Sequence, residues 1–255
     1  MFIGGWKENS LVDVLENVSF TLWTSYCNFK CPWCGNSKLA KGLKAQKVSV
    51  AEIVEVLERN LGFIDYFHVT GGEPTLQSKP LEIMYRYVAE NLELKNSIDT
   101  NGSNPHVLKR LAGYLDHVAI DIKAPLNLPS KYSKAVGLPF EAMAEIIAKI
   151  RNSIVFSCRK VRFLELRTTM VPGLLDIRDV VGIGEELKTL IKNAKARVVF
   201  VVQQFIPYED ISDIDFRLKP RTDPQVVRRA AEKVSEVLPI DVYYRTLEEG
   251  TKKLY

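Results

Sequence analysis

The stretch SFTLWTSYCNFKCPWCGN, residues 19–36, joins an apolar run of strand length to a loop that carries three cysteines. Residues 19–26 are rich in the β-branched and aromatic side chains that favour a strand. Cys27, Cys31 and Cys34 then follow within eight residues. The spacing therefore predicts a cysteine loop at the carboxyl end of a buried strand.

Apolar runs of strand length alternate with helical patterns along the rest of the chain. The predicted strands are 19–26, 64–70, 95–100, 116–123, 161–170 and 196–205, with 240–245 as an extra edge strand. The predicted helices are about 49–61, 79–93, 104–113, 139–153, 176–193 and 222–238. Strand followed by helix, six times over, predicts an α/β fold with a parallel sheet. Six units favour an open, partial (β/α)6 barrel of the kind that helices cover on its outer face.

Several helix starts carry capping signals. Ser49 with Glu52, and Thr222 with Gln225, have the spacing of capping boxes, and Pro105 fits a first helical position. The connections 124–138 and 206–221 are predicted to be long loops.

Length, composition and net charge limit the kind of protein that this chain can be. The chain has 255 residues, 46% hydrophobic and 26% charged, as in a soluble protein with a sizeable core. We expect one domain over 1–255, with a core at about 18–238 and a C-terminal extension at 239–255. We also expect a cytoplasmic protein without membrane contact, because no apolar run reaches spanning length and no targeting pattern precedes residue 10. The net charge of +4 suits an anionic partner but is too small to predict nucleic-acid binding.

Polar residues gather in the carboxyl-terminal halves of the predicted strands, where parallel α/β sheets bind ligands. They are Thr70, Asp99, Asn101, Asp121, Lys123, Arg167, Gln203 and Gln204. Side chains alternate along a strand, so Asp121 and Lys123 share a face, as do Glu165 and Arg167. Buried charges must pair with each other or with a ligand. The sequence therefore predicts one polar site at this edge.

The three clustered cysteines indicate a metal site rather than disulfides. A 4Fe-4S cube held by three thiolates leaves one iron open for a small molecule. The alternative is a zinc site, with Cys158 or a histidine as fourth ligand, although the loop lacks a second ligand pair. His68, His106 and His117 are assigned no chemistry.

The spacing Cys-x-x-x-Cys-x-aromatic-Cys, here with Trp33, resembles the cluster loop of the radical S-adenosylmethionine (SAM) superfamily. VTGGEPTLQ at 69–77 is similar to that family's glycine-rich segment. The resemblance implies that Gly71, Gly72 and Glu73 receive the methionine ammonium of SAM. Glycines also permit close backbone approach.

Further segments resemble the activating enzymes of glycyl radical proteins, such as the activators of pyruvate formate-lyase and of anaerobic ribonucleotide reductase. They are residues 10–36 together with IDTNGS, VAIDIKAP, LRTTMVPG and VVQQFIPY, which span about residues 10–208. The chain departs from the pyruvate formate-lyase activator at Gly35 and Glu209, where that family member has histidines. No ferredoxin-like insertion with further cysteines is present in the sequence.

This resemblance implies specific roles. Asn36, Asp121, Lys123 and Arg167 are expected to hold SAM, with Trp33 near the adenine. Asp99, Thr100 and Asp121 are expected to bind a monovalent cation, sodium or potassium. Two carboxylates beside the carboxylate of SAM would otherwise repel one another, which independently favours a cation.

The expected activity is reductive cleavage of SAM to a 5'-deoxyadenosyl radical, which installs a glycyl radical on a partner such as anaerobic ribonucleotide reductase. The electron donor would be a flavodoxin or ferredoxin. Two alternatives stay open: a radical SAM reaction on a small molecule, peptide or tRNA, and a zinc-stabilised nucleic-acid-binding module.

Overall fold

The computed structural model describes residues 1–254, which form one ten-stranded sheet with helices against it. The strands are β1 (Phe2–Ser10), β2 (Ser19–Thr24), β3 (Gln46–Lys47), β4 (Tyr66–Gly71), β5 (Lys95–Thr100), β6 (His117–Asp121), β7 (Phe163–Met170), β8 (Arg197–Gln204), β9 (Asp241–Thr246) and β10 (Gly250–Lys253). The helices are α1 (Ser37–Ala40), α2 (Val50–Glu58), α3 (Ser78–Asn91), α4 (Pro105–Leu111), α5 (Pro129–Val136), α6 (Met143–Lys160), α7 (Ile177–Leu190), α8 (Ile214–Arg217) and α9 (Pro224–Ser235). None of the helices within residues 1–254 is long and apolar enough to cross a membrane.

The predicted parallel α/β sheet is confirmed. The strands lie in the order β10-β9-β8-β7-β6-β5-β4-β2-β1-β3, and every neighbouring pair from β2 to β9 is parallel. The order begins with β10 and ends with β3, so the sheet does not close on itself. The predicted open, partial barrel is therefore also confirmed.

The sheet is longer than predicted. β1 pairs antiparallel with β2, and β10 pairs antiparallel with β9. The prediction that 240–245 is an edge strand is wrong, because β9 lies between β8 and β10. Three strands were not predicted, β1, β3 and β10, and none has an alternating apolar pattern: β1 buries only Ile3 and Ser10, and β3 and β10 bury no residue.

Of three local predictions about helices, one is confirmed and two are wrong. Ser49 and Glu52 form the predicted capping box. Thr222 does not form one, because Asp223 is the N-cap of α9 and the Thr222 hydroxyl donates to the Met170 carbonyl at 2.5 Å. The connection 124–138, predicted to be a loop, contains α5.

The two faces of the sheet differ in chemistry. One cross-strand row on the outer face is wholly apolar and packs with buried residues of the helices in a single core; it consists of Leu22, Val69, Ile98, Val118, Leu164 and Val198. The adjacent row points to the inner, concave face and consists of Thr21, His68, Ser97, His117, Phe163 and Arg197. The inner face therefore collects the polar side chains.

Candidate active site

The cysteine loop lies after β2, at the carboxyl edge of the parallel strands, as predicted. The backbone N–H of Cys27 donates to the Ala40 carbonyl at 3.0 Å, and that of Lys30 donates to Val136 at 2.9 Å. The indole of Trp33 donates to the Ala135 carbonyl at 2.9 Å. The loop is thus fixed between α1 on one side and α5 on the other.

The donor set of this loop fits a 4Fe-4S cluster with three protein ligands. Cys27, Cys31 and Cys34 are partly buried free thiols, and the N–H of Phe29 points at the Cys27 sulfur at 3.4 Å. Burial raises the pKa of Cys27 to about 11 and that of Cys31 to about 12. Iron must therefore displace these protons on binding, because the thiolate is the ligand. Hydrogen bonds to the sulfur are a known means of tuning cluster potential.

Lys123 supplies positive charge beside the thiols. It partly offsets the effect of burial on the pKa of Cys31 and Cys34. Its ammonium lies 5.2 Å from the centre of the Trp33 ring. A positive charge here favours the ionised form of the thiols and attracts a negatively charged substrate group.

The fourth ligands considered for zinc lie elsewhere. Cys158 is buried on α6, and its carbonyl accepts from Lys195 and Ala196, at the amino edge of the strands. His68 and His117 share a hydrogen bond network with Ser97 inside the sheet. Among residues 1–254, no three His, Cys, Asp or Glu side chains are grouped as ligands of one metal ion.

The glycine-rich segment packs directly against the start of the cysteine loop. The N–H of Gly72 donates to Thr24 at 2.8 Å, and that of Glu73 donates to Tyr26 at 2.8 Å. Gly71 has φ +113°, and a Cβ at Gly72 would collide with the Tyr26 carbonyl. Close approach of the two loops therefore requires glycine at both positions.

Glu73 is fully buried and ties neighbouring loops together. Its carboxylate accepts from the Thr100 hydroxyl at 2.8 Å and from the Asn101 N–H at 2.7 Å, and also from Thr75. Burial nonetheless keeps the pKa of Glu73 above its ordinary value. These contacts were not expected from the sequence, and a direct contact of Glu73 with SAM stays a prediction.

Arg167 joins the predicted polar residues into one network. Its guanidinium contacts Asp99 at 2.7 Å and Asp121 at 2.9 Å, while Lys123 contacts the second oxygen of Asp121 at 2.8 Å. Burial opposes ionisation of the two carboxyls, but Arg167 holds the pKa of Asp99 below the ordinary range, and Lys123 together with Arg167 does so for Asp121. The Thr70 hydroxyl also donates to Asp99, at 3.1 Å.

The residues predicted to bind a cation are only partly brought together. Asp99 and Asp121 meet at Arg167, so the protein itself supplies a positive charge between them. The Thr100 hydroxyl donates to Glu73 instead. The cation stays a prediction, and repulsion between the two carboxylates no longer argues for it.

Asn36 and Gln204, two further predicted residues, lie apart from the Arg167 network. Asn36 is exposed next to α1, and Gly35 lies so close to Tyr208 that a Cβ there would strike the ring. Gln204 has a different role from the one expected, because its amide donates to the Thr222 carbonyl at 2.8 Å and to Glu248 at 3.1 Å. It therefore holds the chain that follows β8.

One polar cluster was missed by the sequence analysis. The Ser97 hydroxyl lies 2.7 Å from Nδ1 of both His68 and His117. The Nε2 atoms of these rings face Asp99 at 3.6 Å and Glu165 at 3.7 Å, respectively. Burial lowers the pKa of His117 to about 3, so this ring is neutral. His68, Ser97 and His117 lie opposite one another on β4, β5 and β6, a register that the sequence analysis did not derive.

A large cavity opens beside the cysteine loop. It has a volume of about 1120 Å³ and is lined by Trp33 and Gly35, by Thr169 and Gln203 at the carboxyl ends of β7 and β8, and by the turn after β1. Leu11 and Val12 of that turn are 77% and 64% exposed at its rim. The cavity can admit a bulky molecule to the carboxyl ends of β7 and β8, beside Trp33 and Gly35 of the cysteine loop.

Comparison with known proteins agrees with this geometry. A family model described as the radical SAM superfamily matches residues 21–174. A Methanocaldococcus jannaschii protein, provisionally named a glycyl-radical enzyme activating enzyme, is 31% identical over 248 residues, which are 96% of this chain and 96% of that protein. A 7-carboxy-7-deazaguanine synthase of Thermococcus kodakarensis is 27% identical over 58% of this chain and 68% of its own length.

Among solved structures, Streptococcus suis SuiB bound to its precursor peptide SuiA has the same fold, with a TM-score of 0.62 and 15% identity. The match covers 85% of this chain and 44% of the SuiB chain. The family model covers more than half of the chain, and the M. jannaschii relative spans nearly all of it. The chain therefore belongs to the radical SAM superfamily.

Proposed function

We propose that this radical SAM enzyme activates a glycyl radical enzyme, with anaerobic ribonucleotide reductase as the first candidate partner. The observation that carries the proposal is the relative provisionally named as such an activator, which matches the chain almost from end to end. The cavity of about 1120 Å³ is large enough for a polypeptide loop to approach the cysteine loop.

When bound, the cluster and SAM would supply one-electron chemistry that cleaves SAM, releases methionine and removes a hydrogen atom from a glycine Cα of the partner. The protein supplies position and exclusion of water. Cys27, Cys31 and Cys34 would hold three irons of the cluster, since they lie on one fixed loop.

The polar network is suited to hold the methionine part of SAM. Lys123 lies between the thiol loop and Asp121, so it can attract a carboxylate near the open iron. Arg167 fixes Asp99 and Asp121 at the carboxyl edge. Gly71 and Gly72, both half-buried, bring the end of β4 against the start of the cysteine loop. Trp33 lines the cavity, which supports the prediction that it contacts the adenine of SAM.

The test is formation of a protein-based radical. Reconstituted protein, SAM and photoreduced deazaflavin are incubated anaerobically with the ribonucleotide reductase of the same organism, and the electron paramagnetic resonance spectrum is recorded. We expect a doublet from the glycyl radical, and none from a reductase with alanine at the radical glycine. Rapid SAM cleavage without a doublet from any glycyl radical enzyme of that organism would contradict the proposal.

A small-molecule reaction is the second candidate, because one relative is named 7-carboxy-7-deazaguanine synthase. That similarity covers 58% of this chain, against 96% for the activator-like relative. Addition of the substrate of that synthase should then stimulate 5'-deoxyadenosine formation. Under our proposal we expect no stimulation. The 5'-deoxyadenosine formed can be measured in the same reaction mixtures.

A further inference from the structure

An exposed basic surface lies directly against the cysteine loop. It comprises Phe2, Tyr26 and the segment 37–47, and it is called the lysine face below. The Tyr26 N–H donates to the Leu39 carbonyl at 3.1 Å, and the Cys27 N–H donates to Ala40 at 3.0 Å. The segment is therefore bonded to the backbone of the first predicted cluster ligand.

The centre of the lysine face is apolar and exposed. The rings of Phe2 and Tyr26 pack edge to face, with centroids 5.7 Å apart, and both side chains are about two-fifths exposed. Leu43 is 72% exposed, and the Tyr26 ring covers Gly42 so closely that a Cβ would collide with it. Tyr26 itself has φ +74°, a conformation that non-glycine residues rarely adopt and that tends to occur at functional sites.

The rim of the lysine face is positive. Residues 37–47 contain four lysines and no acidic residue. Lys38 and Lys44 share one carboxylate, Asp210, at 2.8 Å and 3.1 Å. Lys41 and Lys47 are exposed and form no ion pair within residues 1–254, and Lys47 is paired with Phe2 across strands β3 and β1. An apolar centre with a charged rim is the usual anatomy of a protein–protein contact.

The face is separate from the opening proposed for the substrate. The cavity is lined by Trp33 and Gly35 from the end of the cysteine loop, and no described residue of the lysine face lines it. The lysine face instead borders Tyr26 and Cys27 at the start of the loop. Two proteins can thus approach the same loop from different sides.

We infer that the lysine face docks an acidic carrier protein that delivers single electrons, of the flavodoxin or ferredoxin type. This inference rests on the proposed radical SAM chemistry, which consumes one external electron for each SAM cleaved. The carrier loses one electron and the cluster gains it, and no atom is transferred. Charge complementarity selects an acidic partner and accelerates its encounter.

The test uses charge reversal at the two unpaired lysines. The reconstituted Lys41→Glu/Lys47→Glu protein is mixed with reduced flavodoxin at low ionic strength, and cluster reduction is followed by the loss of visible absorbance. We expect the rate to fall about tenfold or more, and the difference to shrink as salt is added. The matched control is Lys192→Glu/Lys195→Glu, two exposed lysines at the amino edge of the sheet, and it should keep the wild-type rate.

Two further measurements complete the test. Affinity of the oxidised proteins for flavodoxin, measured by calorimetry, should fall for the lysine variant and for Leu43→Asp, whose exposed site tolerates a polar residue. Reduction by photoreduced deazaflavin should stay unchanged in every variant. Equal slowing with deazaflavin, or wild-type affinity and rate with flavodoxin, would overturn the inference. The glycyl radical assay is run with deazaflavin, so failure of the proposed function is scored separately.

Discussion

Two neighbouring rows of the sheet, one residue apart along each strand, have opposite chemistry. The outer row from Leu22 to Val198 is entirely aliphatic, whereas the inner row from Thr21 to Arg197 contains hydroxyls, imidazoles and a guanidinium. Both rows cross the same six parallel strands. Their difference therefore lies in the side chains and not in the strands that carry them.

The outer row stabilises the fold, since each fully buried aliphatic side chain contributes about 1.5–3 kcal/mol. The inner row does not stabilise the fold in this way. Burying charges and imidazoles costs free energy that pairing only partly recovers. Glu165 illustrates the cost: it is fully buried, and neither carboxylate oxygen has a hydrogen-bond partner within residues 1–254. A costly polar lining is expected where a protein binds a polar ligand.

The largest effect should follow from replacing a thiol of the cysteine loop, at the carboxyl edge of the sheet. Cys31→Ser should lower 5'-deoxyadenosine formation by about 100-fold or more, because loss of outer partners of metal ligands already costs 10–100-fold. Iron content and product are measured together. Cys158→Ser, on the outer side, is the matched control and should keep both. Equal losses of iron and of product in the two variants would contradict the assignment of Cys31 as a cluster ligand.

The second test uses adjacent residues of β7 that face opposite ways. Leu166→Ala should lower the free energy of unfolding by about 2–5 kcal/mol at every pH and leave SAM affinity unchanged. Arg167→Gln leaves Asp99 and Asp121 without their shared cation and should cost about 3–5 kcal/mol at neutral pH, with weaker SAM binding.

The pH dependence separates these two variants further. The pKa of Asp99 and of Asp121 is lowered in the folded protein, so their contribution is full above about pH 3.9 and is lost as pH falls through the folded values. The deficit of Arg167→Gln should therefore shrink in acid, as measured by urea unfolding across pH. A deficit that is constant with pH would contradict the role given to Arg167.

A smaller effect is expected at Ser97, which bridges His68 and His117. Ser97→Ala leaves two buried ring nitrogens without partners and should cost about 1–3 kcal/mol in urea unfolding. Its outer neighbour gives the control, because Ile98→Val removes one methylene at about 0.5–1.5 kcal/mol. A smaller loss for Ser97→Ala than for Ile98→Val would show that the bridge is unimportant.

The smallest expected effect has the opposite sign. Burial raises the pKa of Glu165, so its ionisation destabilises the folded protein as pH rises above about 4.3. Glu165→Gln should match the wild type near pH 4 and exceed it by about 1 kcal/mol at pH 8. A loss of stability at pH 8 would mean that attraction to Arg167 and Arg245 outweighs burial.

The sequence predicted the parallel strands well because each buries an apolar face that helices cover. β1 and β10 were missed because they lie beyond that core, and pairing alone, without apolar alternation, leaves no local signal. The Asp99, Asp121 and Arg167 cluster was predicted from strand alternation and polarity. The partners of Glu73 were not, because loops after different strands bring them together.

Backbone and indole donors of the cysteine loop bond to the carbonyls of Ala40, Val136 and Ala135. These hydrogen bonds tie the loop to α1 and α5 through the protein's own groups. Ordering such a loop at the moment of metal uptake would cost about 1–2 kcal/mol for each residue, so a loop that is already ordered avoids this penalty. We expect oxidative damage to the inorganic centre to be repairable by simple reloading, without refolding of the chain.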